Sequence, residues 1–340
     1  MGIKAKLQNF ETALYYLNQS LRRRIRWVMI YATNRCNARC VHCKIWEQNP
    51  KVDLSPEVIE GIVDAECTNS SHYHTSYGLE GGEFLLHPRF REILDLVKDR
   101  EYILLSNGFL DDLLIDVVYE FEVENLHVSL DGGKETHALI RGIDIFDKID
   151  HIVNELRART DITLVYSATP WNSYKDFLFV KNYCKERGIG FAVSVFANFS
   201  LFDVEDMFKR ETNVLQGYDL RDETDPYLLC YQDWLQGRAR IPCQSIGGRI
   251  VVYPNGDLPL CCHKKITLGN LYEQSLDEIW SSGETKRIQK QFLGSCNDCW
   301  ISFHKNYDFF YINTLNRCFP EFLTRKILGD FSNQCALCVF

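Results

Sequence analysis

The sequence predicts an α/β fold in which six parallel strands alternate with helices and curl into a partial (β/α)6 barrel of the TIM type. Three observations support this prediction. Six short segments are rich in β-branched, aromatic or leucine residues, as expected of strands buried on both faces. Amphipathic helical patterns separate these segments along the chain. Repeated strand–helix units of this length favour parallel pairing through right-handed crossovers.

The strands follow an N-terminal segment, residues 1–26, whose apolar residues recur near helical spacing and predict an amphipathic helix. Helical patterns between the strands include Pro88–Arg100, which opens with proline at a first-turn position, and Tyr174–Arg187, which ends before Gly188. A further apolar stripe runs from Phe146 to Leu156. The strand candidates are Trp27–Thr33, Tyr73–Leu79, Tyr102–Ser106, Leu126–Leu130, Ile162–Ser167 and Phe191–Phe196.

The alternation of strand and helix patterns ends after residue 200, so the barrel is predicted for residues 27–200. Residues 201–240 are polar and predict a connector, and residues 241–340 form a smaller C-terminal domain. Within this domain, Arg249–Leu260 alternates around a Pro-Asn-Gly-Asp turn and predicts a β-hairpin. Ser275 and Glu278 are spaced as a capping box at the start of a helix. The C-terminal domain is therefore predicted to combine a hairpin with a helix.

Composition limits the classes of function. The chain has 340 residues, 46 % of them apolar and 25 % charged, and its net charge of −8 offers no positive field for nucleic acid. The sequence lacks a run of about twenty apolar residues and a secretory pattern. It therefore predicts a cytoplasmic protein without a transmembrane segment. Thiols stay reduced in the cytoplasm, so 14 cysteines favour metal binding or catalysis over disulfides.

The first cysteine group directly follows the first predicted strand. Cys36, Cys40 and Cys43 have C-x3-C-x2-C spacing, so three thiolates can hold one [4Fe–4S] cluster and leave its fourth iron open. A structural zinc site is the alternative and would need a fourth ligand, for which His42 is the candidate. His42 lies between two cysteines of a tight loop, so its ring is poorly placed to bind the same metal ion as they do. The cluster is therefore favoured, and zinc stays open.

This spacing after the first strand resembles the signature of the radical S-adenosylmethionine (SAM) superfamily. The resemblance extends over residues 27–200. After the second strand, Gly81-Gly82-Glu83-Phe84 looks like the family's Gly-Gly-Glu-Pro segment, with phenylalanine in place of proline. The resemblance implies that Gly81, Gly82 and Glu83 hold the methionine part of SAM. Glycines admit close backbone approach, and a carboxylate can bind an ammonium group.

Polar residues at two further strand ends fit the same family. The resemblance implies that Asn107 after the third strand, and Ser129 and Asp131 at the end of the fourth, bind SAM. It also implies that Arg141 pairs with the SAM carboxylate, for which a guanidinium is well suited. The alternative roles of these Asn and Asp residues are turn formation and strand capping.

The second cysteine group resembles the Twitch form of the SPASM extension, in which four cysteines bind one auxiliary [4Fe–4S] cluster. Structural zinc is the alternative for this group too. The sequence leaves open whether Cys318, Cys335 and Cys338 bind a further metal. The four cysteines that match the pattern are Cys243, Cys261, Cys296 and Cys299.

The resemblance implies an enzyme that reductively cleaves SAM to a 5′-deoxyadenosyl radical, which removes a hydrogen atom from a substrate. The expected substrate is sugar-like or another small polar metabolite that is oxidised or epimerised, and Cys262 is the candidate catalytic thiol. A low-potential donor such as flavodoxin or ferredoxin is expected to supply electrons. The first alternative is a maturase that modifies ribosomal peptides. The alternative of another class is a non-catalytic iron–sulfur or zinc-binding protein.

Overall fold

The computed structural model describes residues 23–69, 75–197, 199–204, 212–320 and 322–323. The amphipathic helix predicted for residues 1–26 lies almost wholly outside these ranges, as do Cys335 and Cys338. Residues 23–26 are described and are not helical: a turn at Arg23 is followed by three residues without regular secondary structure, which lead into the first strand.

Seven parallel strands form the main sheet, which is an open partial barrel. Six of them are confirmed predictions, and the seventh comes from the C-terminal part of the chain. In space the order is β6-β5-β4-β3-β2-β1-β7, and each neighbouring pair is parallel. The strands are β1 (Trp27–Tyr31), β2 (Ser76–Glu80), β3 (Tyr102–Ser106), β4 (Asn125–Ser129), β5 (Asp161–Ala168), β6 (Gly190–Val195) and β7 (Arg249–Val252).

Helices separate the first six strands, as the periodicity predicts. Within the described ranges they are α1 (Pro56–Asp64), α2 (Phe90–Val97), α3 (Asp111–Glu120), α4 (Lys134–Arg141), α5 (Phe146–Leu156) and α6 (Tyr174–Arg187). The later helices are α7 (Pro226–Leu229), α8 (Tyr231–Leu235), α9 (Leu276–Ser281), α10 (Gly283–Phe292) and α11 (Ser302–Cys318). None of the helices in the described part of the chain is both long and apolar enough to cross a membrane.

Local signals fix the ends of several helices. A capping box between Ser173 and Asp176 starts α6, and Gly188, with φ of +66°, ends it in the left-handed conformation. The predicted capping box of Ser275 and Glu278 is present at the start of α9. These ends are set by residues close in sequence, which is why they were predictable.

The predicted hairpin of Arg249–Leu260 is wrong in its pairing. Its turn is present, because the N–H of Tyr253 donates to the carbonyl of Asp257 at 3.0 Å and Gly256 has a φ of +82°. The two segments that flank the turn do not pair with each other as strands. Strand β7 joins β1 in the barrel sheet, whereas β8 (Asp257–Pro259) pairs antiparallel with β9 (Thr267–Asn270). Three of the four β7 residues are buried, which suits a parallel strand covered on both faces.

Candidate active site

A cavity of about 270 Å³ opens at the carboxyl ends of the barrel strands. In parallel sheets this edge is where ligands bind. The cavity is lined by all but one of the barrel residues that the sequence singles out, and by Cys262 from the C-terminal part. These residues are Cys36, Cys40, Cys43, Gly81, Gly82, Glu83, Asn107, Ser129, Arg141 and Cys262.

Two glycines after β2 support the loop of the first three cysteines. The N–H of Gly82 donates to the carbonyl of Thr33 at 2.7 Å, and the N–H of Glu83 donates to that of Arg35 at 2.8 Å. A Cβ at Gly81 would lie 2.6 Å from the Thr33 oxygen, and one at Gly82 would lie 2.3 Å from the Arg35 oxygen. Glycine is therefore required here, because the cysteine loop passes directly over it.

The other side of the cysteine loop rests on the end of α4. The N–H groups of Arg39 and Val41 donate to the carbonyls of Arg141 and Ile140 at 2.8 and 2.9 Å. Gly142 has a φ of +68°, and a Cβ there would lie 2.6 Å from the carbonyl oxygen of Arg39. The loop is thus held between two glycine-containing turns, which fix its conformation from both sides.

The three thiols of this loop fit an iron–sulfur cluster better than a zinc ion. None of them is in a disulfide, and burial raises the pKa of all three, that of Cys36 to about 11. Buried thiolates therefore need a nearby positive charge. Sulfurs around one zinc ion lie about 3.8 Å apart, given Zn–S bonds of about 2.3 Å. Within the described residues, no three ligand atoms that include a cysteine lie within 4.8 Å of one another.

His42 is not grouped with these thiols as a fourth ligand. It lines the cavity, and burial lowers the pKa of its ring to about 4. Its Nδ1 atom and the Nε1 atom of Trp46, which also lines the cavity, are buried without a hydrogen-bond partner in the described part of the chain. Both atoms fit a polar ligand in this cavity, such as SAM.

Glu83 ties the end of β2 to the end of β3. Its carboxylate accepts hydrogen bonds from Oγ of Ser106 at 3.0 Å and from the N–H of Asn107 at 2.8 Å. Burial raises the pKa of Glu83 to about 7, against the effect of these donors. Asn107 in turn donates from Nδ2 to Asn37 at 2.8 Å, and this nitrogen lies 4.0 Å from Sγ of Cys36.

Asp131 does not line the cavity, unlike the other barrel residues that the resemblance assigns to SAM. It is fully buried, and one carboxylate oxygen accepts from Nε of Arg141 at 2.5 Å while the other accepts from the N–H of Ser167 at 2.9 Å. Burial alone would raise the pKa of Asp131, but the charge of Arg141 lowers it below its usual value. Arg141 does line the cavity, and its Nη1 atom lies 3.9 Å from Sγ of Cys40.

The four cysteines of the second group also meet, around a smaller cavity beside the first. Burial raises the pKa of each thiol, and that of Cys299 to about 12. The side chain of Lys305 is buried in the same wall and brings a positive charge. Cys318, at the end of α11, does not line this cavity. The lining cysteines are Cys243, Cys261, Cys296 and Cys299.

Cys262 lies where the two cavities adjoin. Its side chain lines the larger cavity, and the neighbouring Cys261 lines the smaller one. The N–H of Cys262 donates to Nε2 of His304 at 3.3 Å, and its carbonyl accepts from the N–H of Ser200 at 2.8 Å. Its thiol is buried and free.

Sequence reasoning missed one wall of the larger cavity. This wall is mainly aromatic and includes one acid, Glu80, at the end of β2. Its only sequence signal is the position of Glu80 directly before Gly81. The aromatic residues of the wall are Tyr31, Trp46, Phe199, Phe202 and Phe303.

Family models match two parts of the chain. Residues 30–190 match the radical SAM superfamily, and residues 243–300 match SPASM, an iron–sulfur cluster-binding domain. The two matched regions contain the first and the second cysteine group respectively.

Curated relatives match up to about half of the chain. The probable GTP 3′,8-cyclase of Methanocaldococcus jannaschii is 27 % identical over 176 residues, which are 49 % of this chain and 57 % of the relative. The GTP 3′,8-cyclase of Microcystis aeruginosa is 31 % identical over 144 residues, 40 % of each chain. The chain thus spans about half the length of the curated relatives it matches.

Solved structures share the fold over most of the chain. Native anSMEcpe with bound AdoMet is 18 % identical with a TM-score of 0.54, covering 89 % of this chain and 98 % of that one. Streptococcus suis SuiB bound to the precursor peptide SuiA is 13 % identical with a TM-score of 0.59, covering 83 % of this chain and 71 % of that one. At these identities the likeness shows the fold alone.

Proposed function

Because this chain belongs to the radical SAM superfamily and carries a SPASM iron–sulfur domain, we propose that it removes a hydrogen atom from a substrate bound in the cavity at the barrel mouth. As a radical SAM enzyme it uses a [4Fe–4S] cluster and SAM, with auxiliary iron–sulfur binding in the SPASM part. The observation that carries the proposal is that one cavity extends from the three-cysteine loop to Cys262. A substrate there lies between the two cysteine groups.

In this proposal the residues at each strand end have a separate task. Cys36, Cys40 and Cys43 bind the first cluster, and Gly81 and Gly82 keep their loop in place. Glu83, Asn107, Ser129 and Arg141 shape the SAM site. Asp131 acts through Arg141, because its carboxylate is bound to that guanidinium. Cys243, Cys261, Cys296 and Cys299 bind the auxiliary cluster.

When bound, the first cluster and SAM supply the radical that takes a hydrogen atom, and the auxiliary cluster offers a one-electron acceptor. The protein's own part is to hold the reacting carbon close to the radical and to exclude water. Two outcomes follow from the position of Cys262. If this residue only forms the wall, the substrate radical would lose a second electron to the one-electron acceptor and a proton to water, so that the substrate is oxidised by two electrons. If the free thiol of Cys262 returns a hydrogen atom, the substrate is epimerised, and the resulting thiyl radical would regain an electron from the low-potential donor and a proton from water.

The substrate is either a small molecule or a peptide side chain. The related GTP cyclases act on a nucleotide, and the structurally similar SuiB was solved with a peptide. A low-potential electron donor such as flavodoxin or ferredoxin completes the proposal.

The test is SAM cleavage by the anaerobically reconstituted protein, with dithionite in place of the natural donor. We expect 5′-deoxyadenosine from the unmodified protein and none from a Cys36→Ala, Cys40→Ala, Cys43→Ala variant, which should keep the irons of the SPASM part. A Cys67→Ala, Cys184→Ala variant is the control, because both thiols are buried outside the two cavities. Equal 5′-deoxyadenosine from the triple variant would refute the proposed function.

A further inference from the structure

Glu80 brings a carboxyl group without an ionic partner among the described residues to the wall of the larger cavity. It is the last residue of β2 and lies opposite Tyr31 of β1 in the sheet register. Its backbone is fixed there, because its carbonyl accepts from the N–H of Ala32 at 2.7 Å. The side chain keeps some exposed surface, and it is part of the cavity wall.

The surroundings of Glu80 differ from those of Glu83, three residues later. Glu83 accepts hydrogen bonds from Ser106 and from the N–H of Asn107. Within the described residues, no Lys, Arg or His forms an ion pair with Glu80. Burial raises the pKa of Glu80 to about 7, and the Tyr31 hydroxyl acts in the opposite direction. A carboxylate in such a place is stabilised when a cation binds beside it.

Aromatic rings form the wall next to this carboxyl group. Phe199 and Phe202 are stacked, with ring centroids 4.7 Å apart and planes at 17°. Tyr31 meets both rings edge-on, with centroid distances of 6.4 and 6.2 Å. Aromatic faces attract cations, most strongly where water is excluded. An ammonium group bound beside this carboxylate and these rings is therefore attracted by the negative charge and by the aromatic faces.

From this setting we infer that the substrate carries an ammonium group, which Glu80 binds within the wall formed by Tyr31, Phe199 and Phe202. The inference rests on the proposed function, because it concerns the substrate of that reaction. It identifies the substrate class as primary amines with an apolar or aromatic neighbour to the amine. Glu80 is a specificity-determining residue in this assignment.

The charges of the cavity disfavour the nucleotide on which the named relatives act. Among the described lining residues, Arg141 is the one Arg or Lys side chain, and its Nε is bound to Asp131. His42 and His127 also line the cavity, and burial lowers the pKa of His127 to about 4, so that this ring is neutral at pH 7. Among the described lining residues a triphosphate would meet no Lys or Arg side chain besides Arg141, and it would meet the carboxyl group of Glu80.

The test compares phenethylamine with phenethyl alcohol and N-acetylphenethylamine, which keep the ring and lose the charge. Binding to the reconstituted protein with SAM is measured by isothermal titration calorimetry at pH 7.5. We expect the amine to bind at least tenfold more tightly than either neutral analogue. A Glu80→Gln variant should lose this preference, and a Glu60→Gln variant, changed at an exposed acid of α1, should keep it.

Three results would overturn the inference: equal affinity for amine and alcohol, no binding of the amine, or a preference that persists in the Glu80→Gln variant. The comparison of the three probes on the unmodified protein needs no variant to fold. Formation of 5′-deoxyadenosine is measured in the same unmodified samples. Its presence without amine preference rejects the substrate assignment alone, whereas its absence rejects the proposed function.

Discussion

Nδ1 of His304 lies 2.6 Å from Oγ of Ser245, and this contact belongs to a hydrogen-bond chain that runs between the two cavities. The backbone N–H of Cys262 sets the direction of the chain. A backbone N–H can only donate, so Nε2 of His304 must accept from Cys262. The ring proton is then on Nδ1 and is donated to Ser245. The hydroxyl of Ser245 is left to donate to Sγ of Cys243, 3.6 Å away.

A Ser245→Ala variant should therefore lower the reduction potential of the auxiliary cluster. Hydrogen bonds to cluster sulfurs stabilise the reduced, more negative state, and their loss should shift the potential by roughly tens of millivolts within the known range of about −700 to +450 mV. Redox titration followed by electron paramagnetic resonance measures this shift. A Ser282→Ala variant is the control, since that hydroxyl only caps α10. An unchanged potential in Ser245→Ala would contradict the predicted direction of the chain.

Gly82→Ala should prevent assembly of the first cluster. The new methyl group would lie 2.3 Å from the backbone oxygen of Arg35 and 2.9 Å from Cβ of Cys36, so the cysteine loop must move. We expect the loss of about four irons per chain after reconstitution, with those of the SPASM part retained.

Gly61→Ala is the matched control, because nothing lies within 4 Å of its Cβ position in α1. That change should stabilise the helix by up to about 1 kcal/mol. Full iron content in Gly82→Ala would show that the loop tolerates the displacement.

Asp131→Asn should destabilise the barrel strongly. The substitution leaves the buried guanidinium of Arg141 without its counter-charge, and breaking a buried pair in this way costs about 3–5 kcal/mol. Urea unfolding of the reconstituted protein measures the loss. Asp219→Asn breaks a pair with Arg221 on the surface and should have no measurable effect. Equal stability of the two variants would mean that Arg141 finds another partner.

His137 should make the protein less stable as the pH falls. It is fully buried, and burial lowers the pKa of its ring to about 4, against the attraction of Asp131. Between pH 4 and the unfolded pKa of about 6.5, the unfolded chain binds more protons than the folded one. The unfolding free energy therefore falls as the pH is lowered through this window, by about 3 kcal/mol in all.

The His137→Gln variant tests this assignment, because glutamine retains an acceptor for the N–H of Asp131 and does not titrate. Unfolding by urea between pH 7 and pH 5 should show a smaller pH slope for this variant than for the unmodified protein. The matched control is His151→Gln, which replaces a partly exposed histidine. A slope equal to that of the unmodified protein would assign the acid sensitivity to other groups.

Much of the fold was predictable because its signals are local. Strand positions follow from short apolar runs, and the ends of α6 and α9 follow from caps within a few residues. The positions of the first three cysteines and of Gly82 follow from their place after β1 and β2. Since parallel strands end at the same edge of a sheet, these residues were expected to meet.

What the sequence did not predict depends on partners distant along the chain. Alternation around the turn at Gly256 indicates two strands, but it does not say that β7 pairs with β1, more than two hundred residues earlier. The sequence marks Asp131 as a polar residue at a strand end, and only the fold shows that it is turned away from the cavity towards Arg141. Glu80 was overlooked because its surroundings come from Tyr31, Phe199 and Phe202, on other segments.

The pairing of β7 with β1 limits how this protein can be recombined with its relatives. A chimera that exchanges everything after residue 248 must bring a strand that matches Trp27–Ile30, because these residues pair with Arg249–Val252. Without it, the backbone N–H and C=O groups along one edge of β1 would be open to pairing with another chain, which favours aggregation. Since the first cysteine loop follows β1 directly, such a graft should be judged first by its solubility and iron content.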